Sequence, residues 1–315
     1  MNTSSLTNKP AGSVLVTGGT GLTGRALIPL LSACGYRVAV LSRNREKADG
    51  KSLFYWNPDN RYIDPAALPG TTHIIHLAGA GIGDRRWSKK RMREITDSRV
   101  ASAKLLLDAM LLSGTRISCF ISASATGYYG NDTADRILTE QDRPGTDFLA
   151  SVCKKWEEAA DLFRQHGIRT VIVRPGIVLS PRGGFMGRIL PPARKGLIAW
   201  FGNGKQYFPW IHVYDLCNIY MKALDDNTCE GPVNAVAPGI VTQRQFMKML
   251  RSVSGRHSIA SGIPSLLVRL AFGRMSSMLL TGNRVSPAIL REKGFTFRFP
   301  EPAEALKDIL DSTGS

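Results

Sequence analysis

The pattern of hydrophobic and polar positions changes period twice near the start of the chain. An apolar run at 14–16 ends in glycines, which is typical of a buried parallel strand. Apolar side chains then recur at helical spacing over 25–35, where a glycine is placed to end the helix. A second apolar run follows at 38–41. The pattern therefore predicts a strand, a helix and a second strand, joined by a glycine-rich first turn.

The same alternation continues through the first two thirds of the chain. Further strands are predicted at 73–79, 117–124 and 170–179, and the intervening helices at Trp87–Leu112 and Phe148–His166, with another at Leu216–Leu224. Strands that alternate with helices of this length indicate an α/β fold with a doubly wound parallel sheet. From Ser180 the alternation gives way to segments rich in glycine and proline, so the chain is expected to leave the sheet there.

The glycine-rich turn is a candidate site for a dinucleotide. Gly18, Gly21 and Gly24 follow the first strand and open the first helix. A diphosphate must approach the backbone closely, and the N–H groups and dipole of a helix N-terminus favour an anion there. Because the turn lies inside a complete β-α-β unit, a dinucleotide site is a better interpretation than an ordinary tight turn.

The end of the second strand indicates which dinucleotide binds. An NAD site usually has a carboxylate there, whereas an arginine accommodates the 2′-phosphate of NADP. This chain has Ser42 and Arg43, and its first carboxylate comes only at Glu46. We therefore predict NADP(H) rather than NAD(H). The alternative is that Arg43 belongs to a solvated surface loop.

Composition and charge narrow the class of protein. The 315 residues are 43% hydrophobic, as in a globular protein with a substantial core, and the net charge is +16. The charge suits an anionic cofactor or substrate, but the basic cluster at 85–93 carries no nucleic-acid motif, so no nucleic-acid partner is expected. Five scattered cysteines fit a reducing, cytoplasmic location. No apolar run reaches the ~18 residues of a membrane span, and 1–12 is expected to be a flexible leader.

Other strand ends carry further candidate chemistry. Small residues end the strand at 73–79, where a cofactor could lie against the backbone, and hydroxyl groups follow the strand at 117–124. Both features also suit simple loops. No metal site is predicted, because His73 and His76 are three residues apart on a strand and face opposite ways.

Several of these motifs together resemble the extended short-chain dehydrogenases/reductases. The closer resemblance is to their atypical branch of sugar-nucleotide-epimerase-like proteins, sometimes labelled cell-division-inhibitor-like, and it covers about residues 13–310. The general resemblance is carried by Thr17-Gly-Gly-Thr-Gly-Leu-Thr-Gly24, His76-Leu-Ala-Gly79, Ser122-Ala-Ser-Ala-Thr126, Arg174-Pro-Gly176 and Trp210-Ile-His-Val213. The closer one is carried by Arg86-Trp87, Ser98-Arg99, Lys155-Trp156-Glu157, Gly183-Gly184 and Phe208-Pro-Trp-Ile-His212.

The resemblance implies a Rossmann core with a small substrate-side α/β domain. The core would span 13–179 and be completed by 208–238, and the substrate-side domain would comprise 180–207 and 239–312. By the same resemblance, NADP(H) would touch Gly18, Gly19, Thr20, Gly21, Leu22, Gly24, Ser42, Arg43, Leu77, Ala78, Glu94, Arg99 and Val178.

The chain departs from the family at the catalytic pair. Family members typically use a serine with a Tyr-x-x-x-Lys pair, whose members lie one helical turn apart. If Lys154 is the lysine here, Ala150 occupies the tyrosine position; if Lys155 is, Ser151 does. Ser124 keeps the position of the serine. Tyr128 or Tyr129 is the candidate replacement for the proton donor, with Tyr128 the better placed by the resemblance, although a packing role for both tyrosines is an equal alternative.

Two functions follow from this pattern. The first is an NADP(H)-dependent oxidoreductase or epimerase that acts on a small, possibly anionic molecule, with Ser124 and Tyr128 as catalytic residues. The second is a catalytically silent NADPH-binding regulatory or scaffold protein, which the missing tyrosine motivates. The sequence leaves the substrate and the oligomeric state open.

Overall fold

A computed structural model describes residues 12–131, 135–255 and 258–314. The expected flexible leader therefore lies outside the described residues, apart from Gly12. The strands, β1 to β14 in chain order, are Ser13–Thr17, Arg37–Ser42, Leu53–Asn57, Tyr62–Ile63, His73–His76, Cys119–Ala123, Ile137–Leu138, Arg169–Pro175, Ile177–Leu179, Leu197–Phe201, Trp210–His212, Gly231–Ala235, Ile259–Ile263 and Arg284–Val285. The helices, α1 to α10, are Leu22–Ala33, Lys89–Ser113, Phe148–Gln165, Gly184–Arg194, Val213–Asp225, Gln243–Ser254, Ser265–Phe272, Ser276–Leu280, Ala288–Glu292 and Pro302–Ser312.

An eight-stranded sheet forms the centre of the fold. Its strand order is β12-β8-β6-β5-β1-β2-β3-β4, and every pair is parallel except the edge pair β3–β4. β1 lies between β2 and β5, with Val14 opposite Val38 on one side and His73 on the other. β2, β3 and β4 lie on one side of β1, and β5, β6, β8 and β12 lie on the other. The strand order therefore reverses at β1, and open α/β sheets bind ligands at such a switch point. The predicted doubly wound α/β fold is confirmed.

The two faces of β1 pack against different helices. Val14 and Val16 belong to one hydrophobic cluster together with Leu27 and Leu31 of α1. Leu15 points to the opposite face, into a second cluster that includes residues of α2 and α3. A strand with apolar side chains on both faces is typical of a parallel sheet covered by two helical layers. These two layers hold the carboxyl ends of the strands, where the candidate site lies.

Two predicted elements differ from the structure. The strand expected at 170–179 is two strands, because the chain turns aside at Gly176: its N–H bonds the carbonyl of Ala235, whereas Ile177 N–H bonds Pro209. β9 then pairs with β11, outside the main sheet.

The helix expected at Leu216–Leu224 begins at Val213, because His212 Nδ1 accepts the Tyr214 N–H across 3.2 Å.

After β8 the chain builds a group of elements outside the main sheet, both before and after it returns to that sheet for β12. β10 and β13 form a two-stranded parallel sheet, and α4 and α6 contact β10. A capping box formed by Thr242 and Gln245 begins α6. β12, which precedes α6 in the chain, supplies the edge strand of the main sheet beside β8. The proposed domain boundaries remain a prediction.

Candidate functional site

The turn between β1 and α1 is shaped by glycines. Gly18 has φ +68°, and a Cβ there would lie 2.8 Å from the carbonyl carbon of Leu77 and 2.9 Å from the nitrogen of Ala78. A Cβ at Gly24 would lie 2.6 Å from the Gly18 oxygen. An L side chain is excluded at Gly18 by both backbone conformation and space. The backbone of the turn thus lies directly against the end of β5.

No side chain caps the N-terminus of α1. Gly21 is the N-cap residue, and no side-chain hydrogen bond caps the helix. The first N–H groups of a helix lack partners within the helix and carry the positive end of its dipole. This helix end therefore fits an anionic group such as a diphosphate.

Thr17 joins the ends of β1 and β5. Its Oγ1 accepts the N–H groups of Leu77 and Ala78, both across 3.1 Å, and lies 2.8 Å from Nδ1 of His76. His76 is fully buried, and burial lowers its pKa to about 4, so the ring is neutral at pH 7. These contacts hold Leu77 and Ala78 as a fixed wall beside the glycine turn.

A cleft of about 500 Å³ opens between the turn and the ends of β2 and β5. Of the predicted cofactor residues, it is lined by Gly18, Thr20, Gly21, Ser42, Arg43, Leu77 and Ala78. Gly19 and Gly24 pack inside the turn, and Leu22 contacts Gly184. Three further lining residues, Arg25, Asn44 and Lys47, were not among the predicted site residues.

The end of the cleft beside β2 carries an excess of positive charge. Arg25, Arg43 and Lys47 line it, against a single carboxylate in the described lining, Asp59. Arg43 is exposed, as a residue that binds an incoming phosphate should be. The cleft thus fits the extra phosphate of NADP(H) rather than the uncharged ribose hydroxyl of NAD(H).

The remaining predicted cofactor residues lie outside the described lining of the cleft. Glu94 is exposed and pairs with Arg91 across 2.7 Å; this bond is the main reason that its pKa is lowered. Val178 pairs with Ile211 between β9 and β11. Arg99 lines a neighbouring cavity instead. The contacts of these three residues with the cofactor remain a prediction.

The neighbouring cavity has a volume of about 290 Å³ and contains Ser124 in its wall. Ser124 Oγ donates a hydrogen bond to Glu157 Oε1 across 2.6 Å. Glu157 is in turn bound by both Nε and Nη2 of Arg174, at 2.8 and 2.7 Å. All three side chains are buried. The hydroxyl proton of Ser124 is therefore directed into the protein, and its oxygen lone pairs remain for a donor in the cavity.

Tyr128 lies on the other side of Arg174. The Cζ atom of Arg174 is 3.5 Å from the centroid of the Tyr128 ring, and its Nη1 donates to the hydroxyl of Tyr129 across 3.0 Å. Burial is the main cause that raises the pKa of Tyr128. Tyr128 is not among the residues described as lining the cavity, which include Ser124. Its catalytic role remains a prediction, and its observed contact is a cation–π contact with Arg174.

The side chains of α3 that face the cavity are Leu149, Val152, Cys153 and Trp156. Both lysines considered from the sequence, Lys154 and Lys155, are exposed. Neither proposed pairing of a lysine with Ala150 or Ser151 therefore fits this site. Leu149 and Cys153 have the spacing of a Tyr-x-x-x-Lys pair and lie near Gly127, but neither can serve as a phenol or an ammonium group.

Other classes of site gain no support in the described ranges. There, no group of three or more His, Cys, Asp or Glu side chains is arranged to hold a metal ion. None of the helices described is both long and apolar enough to cross a bilayer. His212 caps α5, and Asp215 accepts the N–H groups of Arg298 and Phe299.

The fold and the cleft define a Rossmann-type nucleotide-binding protein of the extended short-chain dehydrogenase/reductase class. The chain belongs to the NAD dependent epimerase/dehydratase family, whose model matches residues 14–235. A second model, a domain of unknown function, matches residues 263–309. The resemblance inferred from the motifs is therefore confirmed.

Similar proteins cover nearly the whole chain. An epimerase family protein of Mycobacterium bovis is 37% identical over 294 residues, which are 93% of this chain and 96% of that protein. The human epimerase family protein SDR39U1 is 35% identical over 302 residues, 94% of this chain and 99% of that one. A crystal structure of the human protein with NADPH matches with a TM-score of 0.85, 34% identity and coverage of 95% and 99% of the two chains. A nucleoside-diphosphate sugar epimerase structure from Corynebacterium glutamicum matches at 0.76 and 32%, covering 96% of this chain and 58% of that one.

Proposed function

We propose that this protein binds NADP(H) in the cleft and acts as an oxidoreductase or epimerase on a small molecule in the adjoining cavity. The observation that carries the proposal is the buried hydroxyl of Ser124, which lines a cavity next to the cleft and is bonded to a buried carboxylate. The human relative, whose crystal structure contains NADPH, supports the choice of cofactor.

The residues of the cleft fit the parts of NADP(H). The glycine turn and the uncapped end of α1 would hold the diphosphate, because a Cβ at Gly18 would fill the space against β5. Arg43, with Arg25 and Lys47, would bind the 2′-phosphate. Bound there, the nicotinamide supplies a hydride to a carbonyl carbon or accepts one from an alcohol carbon.

Ser124 and Glu157 would accept and return the proton of the substrate hydroxyl. In the oxidative direction, a substrate hydroxyl donates its proton to Ser124 Oγ, which passes its own proton to Glu157 as the hydride leaves the carbon. In the reductive direction the same proton returns to the alkoxide oxygen, which gives an alcohol. Arg174 holds Glu157 in place through two hydrogen bonds. Tyr128 is retained as the second candidate acid, behind Ser124, because Ser124 lies in the cavity wall.

The test is NADPH oxidation at 340 nm with a panel of aldehydes, ketones and sugar nucleotides, and NADP⁺ reduction with the matching alcohols. We expect turnover with at least one class, and a loss of about 10²-fold or more in Ser124→Ala with unchanged NADPH affinity. Ser151→Ala, which changes an exposed serine of α3, is the matched control. Absence of turnover with every class, or full activity in Ser124→Ala, would argue against the proposal.

A second candidate function is a silent NADPH-binding regulatory or scaffold protein. Leu149 and Cys153, which have the spacing of the Tyr-x-x-x-Lys pair that family members typically use, favour it. In that case, NADPH would alter association with a partner, and the Ser124→Ala, Tyr128→Phe double variant would behave as wild type. Loss of a measured turnover in the double variant would exclude this function.

A further inference from the structure

The positive charge of the chain is concentrated outside the main sheet. The segments 180–207 and 239–291 contain five and eight arginines and lysines, respectively, and neither contains an aspartate or a glutamate. These segments include α4, β10, α6, β13, α7 and α8. Because the net charge of the whole protein is +16, most of the excess comes from this part of the chain. A basic surface of this kind attracts an anionic partner.

The same segments expose large apolar side chains. On α7, Leu266, Leu267 and Leu270 are each more than half exposed, whereas Val268 is buried. Residues three and four positions apart on a helix are neighbours, so the three leucines form one face. The helix therefore turns one apolar side towards the protein and a second apolar side towards the solvent.

β10 and β13 add two more apolar side chains next to this helix. Leu197 and Ile259 are directly paired across the two strands, and both are more than half exposed. The Phe201 ring at the end of β10 lies 6.3 Å from the Phe272 ring at the end of α7. Of the eleven large apolar side chains described as exposed, five thus lie on these three adjoining elements. A concentration of exposed apolar side chains marks an interaction site.

Arginines border the leucines of α7. Arg269 lies on the same helix and Arg274 follows its end by two residues, and both are exposed. In the part of the chain that the structure describes, no ion pair joins either guanidinium to a carboxylate. Arg274 Nη1 lies 3.8 Å from the sulfur of Met92, which places this end of α7 beside the basic cluster at 85–93. The apolar face is therefore flanked by positive charge.

Charge and apolar exposure together select one class of partner. A second copy of this chain would bring like charges together in a symmetric contact, which is unfavourable. A nucleic acid would pair with the arginines and leave the leucines unused, because its phosphates dominate binding. An anionic bilayer satisfies both, since its headgroups attract cations and its acyl boundary takes up apolar side chains. With eight residues, α7 is long enough to lie on a bilayer and too short to cross it.

We propose that the protein docks reversibly on anionic membrane surfaces through α7 and the adjoining strands β10 and β13. The three leucines of α7 enter the boundary between the headgroups and the acyl chains, and the two arginines bind lipid phosphates. None of these residues is in the described lining of the cofactor cleft or of the cavity with Ser124. The inference therefore goes beyond the proposed function and does not depend on it.

The experiment measures co-sedimentation of the full chain with vesicles, so that turnover is not required. One vesicle is phosphatidylcholine alone, and the other contains an equal part of phosphatidylglycerol. We expect a partition coefficient at least about tenfold higher for the anionic vesicle, because several cations gain attraction from its surface potential. Raising the salt concentration from about 0.05 M to about 0.5 M should weaken this binding, because the Debye length becomes shorter.

A pair of leucine variants tests the apolar part of the contact. The double variant Leu266→Ser, Leu270→Ser should lower the partition coefficient for anionic vesicles at least about tenfold, because less apolar area is buried on binding. Leu111→Ser, Leu112→Ser is the matched control, which changes two exposed leucines of α2 and should bind as the wild type does. Because all four side chains are exposed, both variants should fold, and circular dichroism checks this.

A pair of arginine variants tests the charged part. Arg269→Gln, Arg274→Gln should lower the partition coefficient at least about fivefold and reduce its dependence on salt. Arg37→Gln, Arg116→Gln removes the same charge from two other exposed arginines and should lower it less than about twofold.

Four results would overturn the inference. Absence of binding to anionic vesicles would exclude a membrane as the partner. Binding that the leucine variant leaves unchanged would show adsorption by charge alone, and equal effects of the two arginine pairs would remove the local role of α7. A wild-type dimer in analytical ultracentrifugation that dissociates in the leucine variant would assign the apolar face to a second copy. Turnover enters none of these outcomes, so they are distinct from the test of the proposed function.

Discussion

Ser124 and Glu157 form a hydrogen bond of 2.6 Å across 33 positions of sequence, and both side chains are buried. The bond joins the end of β6 to the middle of α3. Arg174, from β8, closes the arrangement with two hydrogen bonds to the same carboxylate. Three elements of the sheet and its helical layer thus meet at one charged pair beneath the candidate cavity.

Removing the charge of Glu157 should therefore destabilise the protein. Glu157→Gln leaves the buried guanidinium of Arg174 without its counter-ion, which typically costs about 3–5 kcal/mol. Urea unfolding at pH 7 measures the change. Glu158→Gln is the matched control, because Glu158 is exposed and its pair with Lys154 is 3.9 Å long; it should cost less than about 1 kcal/mol. Equal losses in the two variants would contradict the prediction.

Arg43 should decide the preference for NADPH. Arg43→Ala removes a guanidinium from the basic end of the cleft, so we expect the Kd for NADPH to rise roughly tenfold, about 1.4 kcal/mol, and the Kd for NADH to change little. Calorimetry with both cofactors measures this. Arg45→Ala is the control, because the Arg45 guanidinium lies over the Tyr55 ring and Arg45 is not in the described lining of the cleft. Tighter binding of NADH than NADPH to the wild type would refute the assignment of the cofactor.

Two glycines with the same backbone conformation allow space and strain to be separated. Gly18 has φ +68° and lies against β5, whereas Gly50 has φ +65° with nothing within 4 Å of its added Cβ. Alanine at either position should cost about 1 kcal/mol of stability through strain. Only Gly18→Ala should also abolish NADPH binding, because the turn must move away from Leu77 and Ala78. Retained binding in Gly18→Ala would show that the turn tolerates a Cβ.

His76 should make stability depend on pH. Its pKa is about 4 in the folded protein and 6.5 as the ordinary value, so the unfolded chain binds a proton that the native state does not. Stability is therefore fully present above pH 6.5 and is lost as pH falls from 6.5 towards 4. At pH 5 the loss from this residue is roughly 2 kcal/mol.

Urea unfolding at pH 7 and pH 5 checks this dependence. His76→Gln should reduce the difference between the two pH values, and His166→Gln, which changes an exposed histidine at the end of α3, is the matched control. His212, whose pKa is also lowered to about 4 by burial, should account for a similar part of the remaining difference. A stability that rises as pH falls from 7 to 5 would contradict the sign.

Local signals in the sequence were sufficient for the cofactor cleft. The glycine spacing, the apolar run before it and Arg43 lie within about thirty residues, and the backbone of a β-α-β unit brings them together by itself. Arg25 was missed because basic residues are common on the exposed face of any amphipathic helix. Its place one turn after Gly21 is the signal that could have found it.

The substrate side could not be predicted in the same way. Glu157, Arg174 and Ser124 come from separate elements, and no spacing along the chain indicates that they meet. The orientation of α3 was also misjudged, since lysines at 154 and 155 match the family pattern by type but lie on the exposed face. Burial at Val152, Cys153 and Trp156 identifies the face towards the cavity, and that follows from packing against the sheet.

The late return of β12 has a consequence for biosynthesis. β8 pairs with β6 on one side and with β12 on the other. About 55 residues separate the end of β8 from the start of β12, and all of them must leave the ribosome before β12 can pair. Until then the apolar stretch Val171–Val173 presents open main-chain groups, which is a template for association between nascent chains. A fragment that ends near residue 180 would keep the whole glycine turn and still be prone to aggregate.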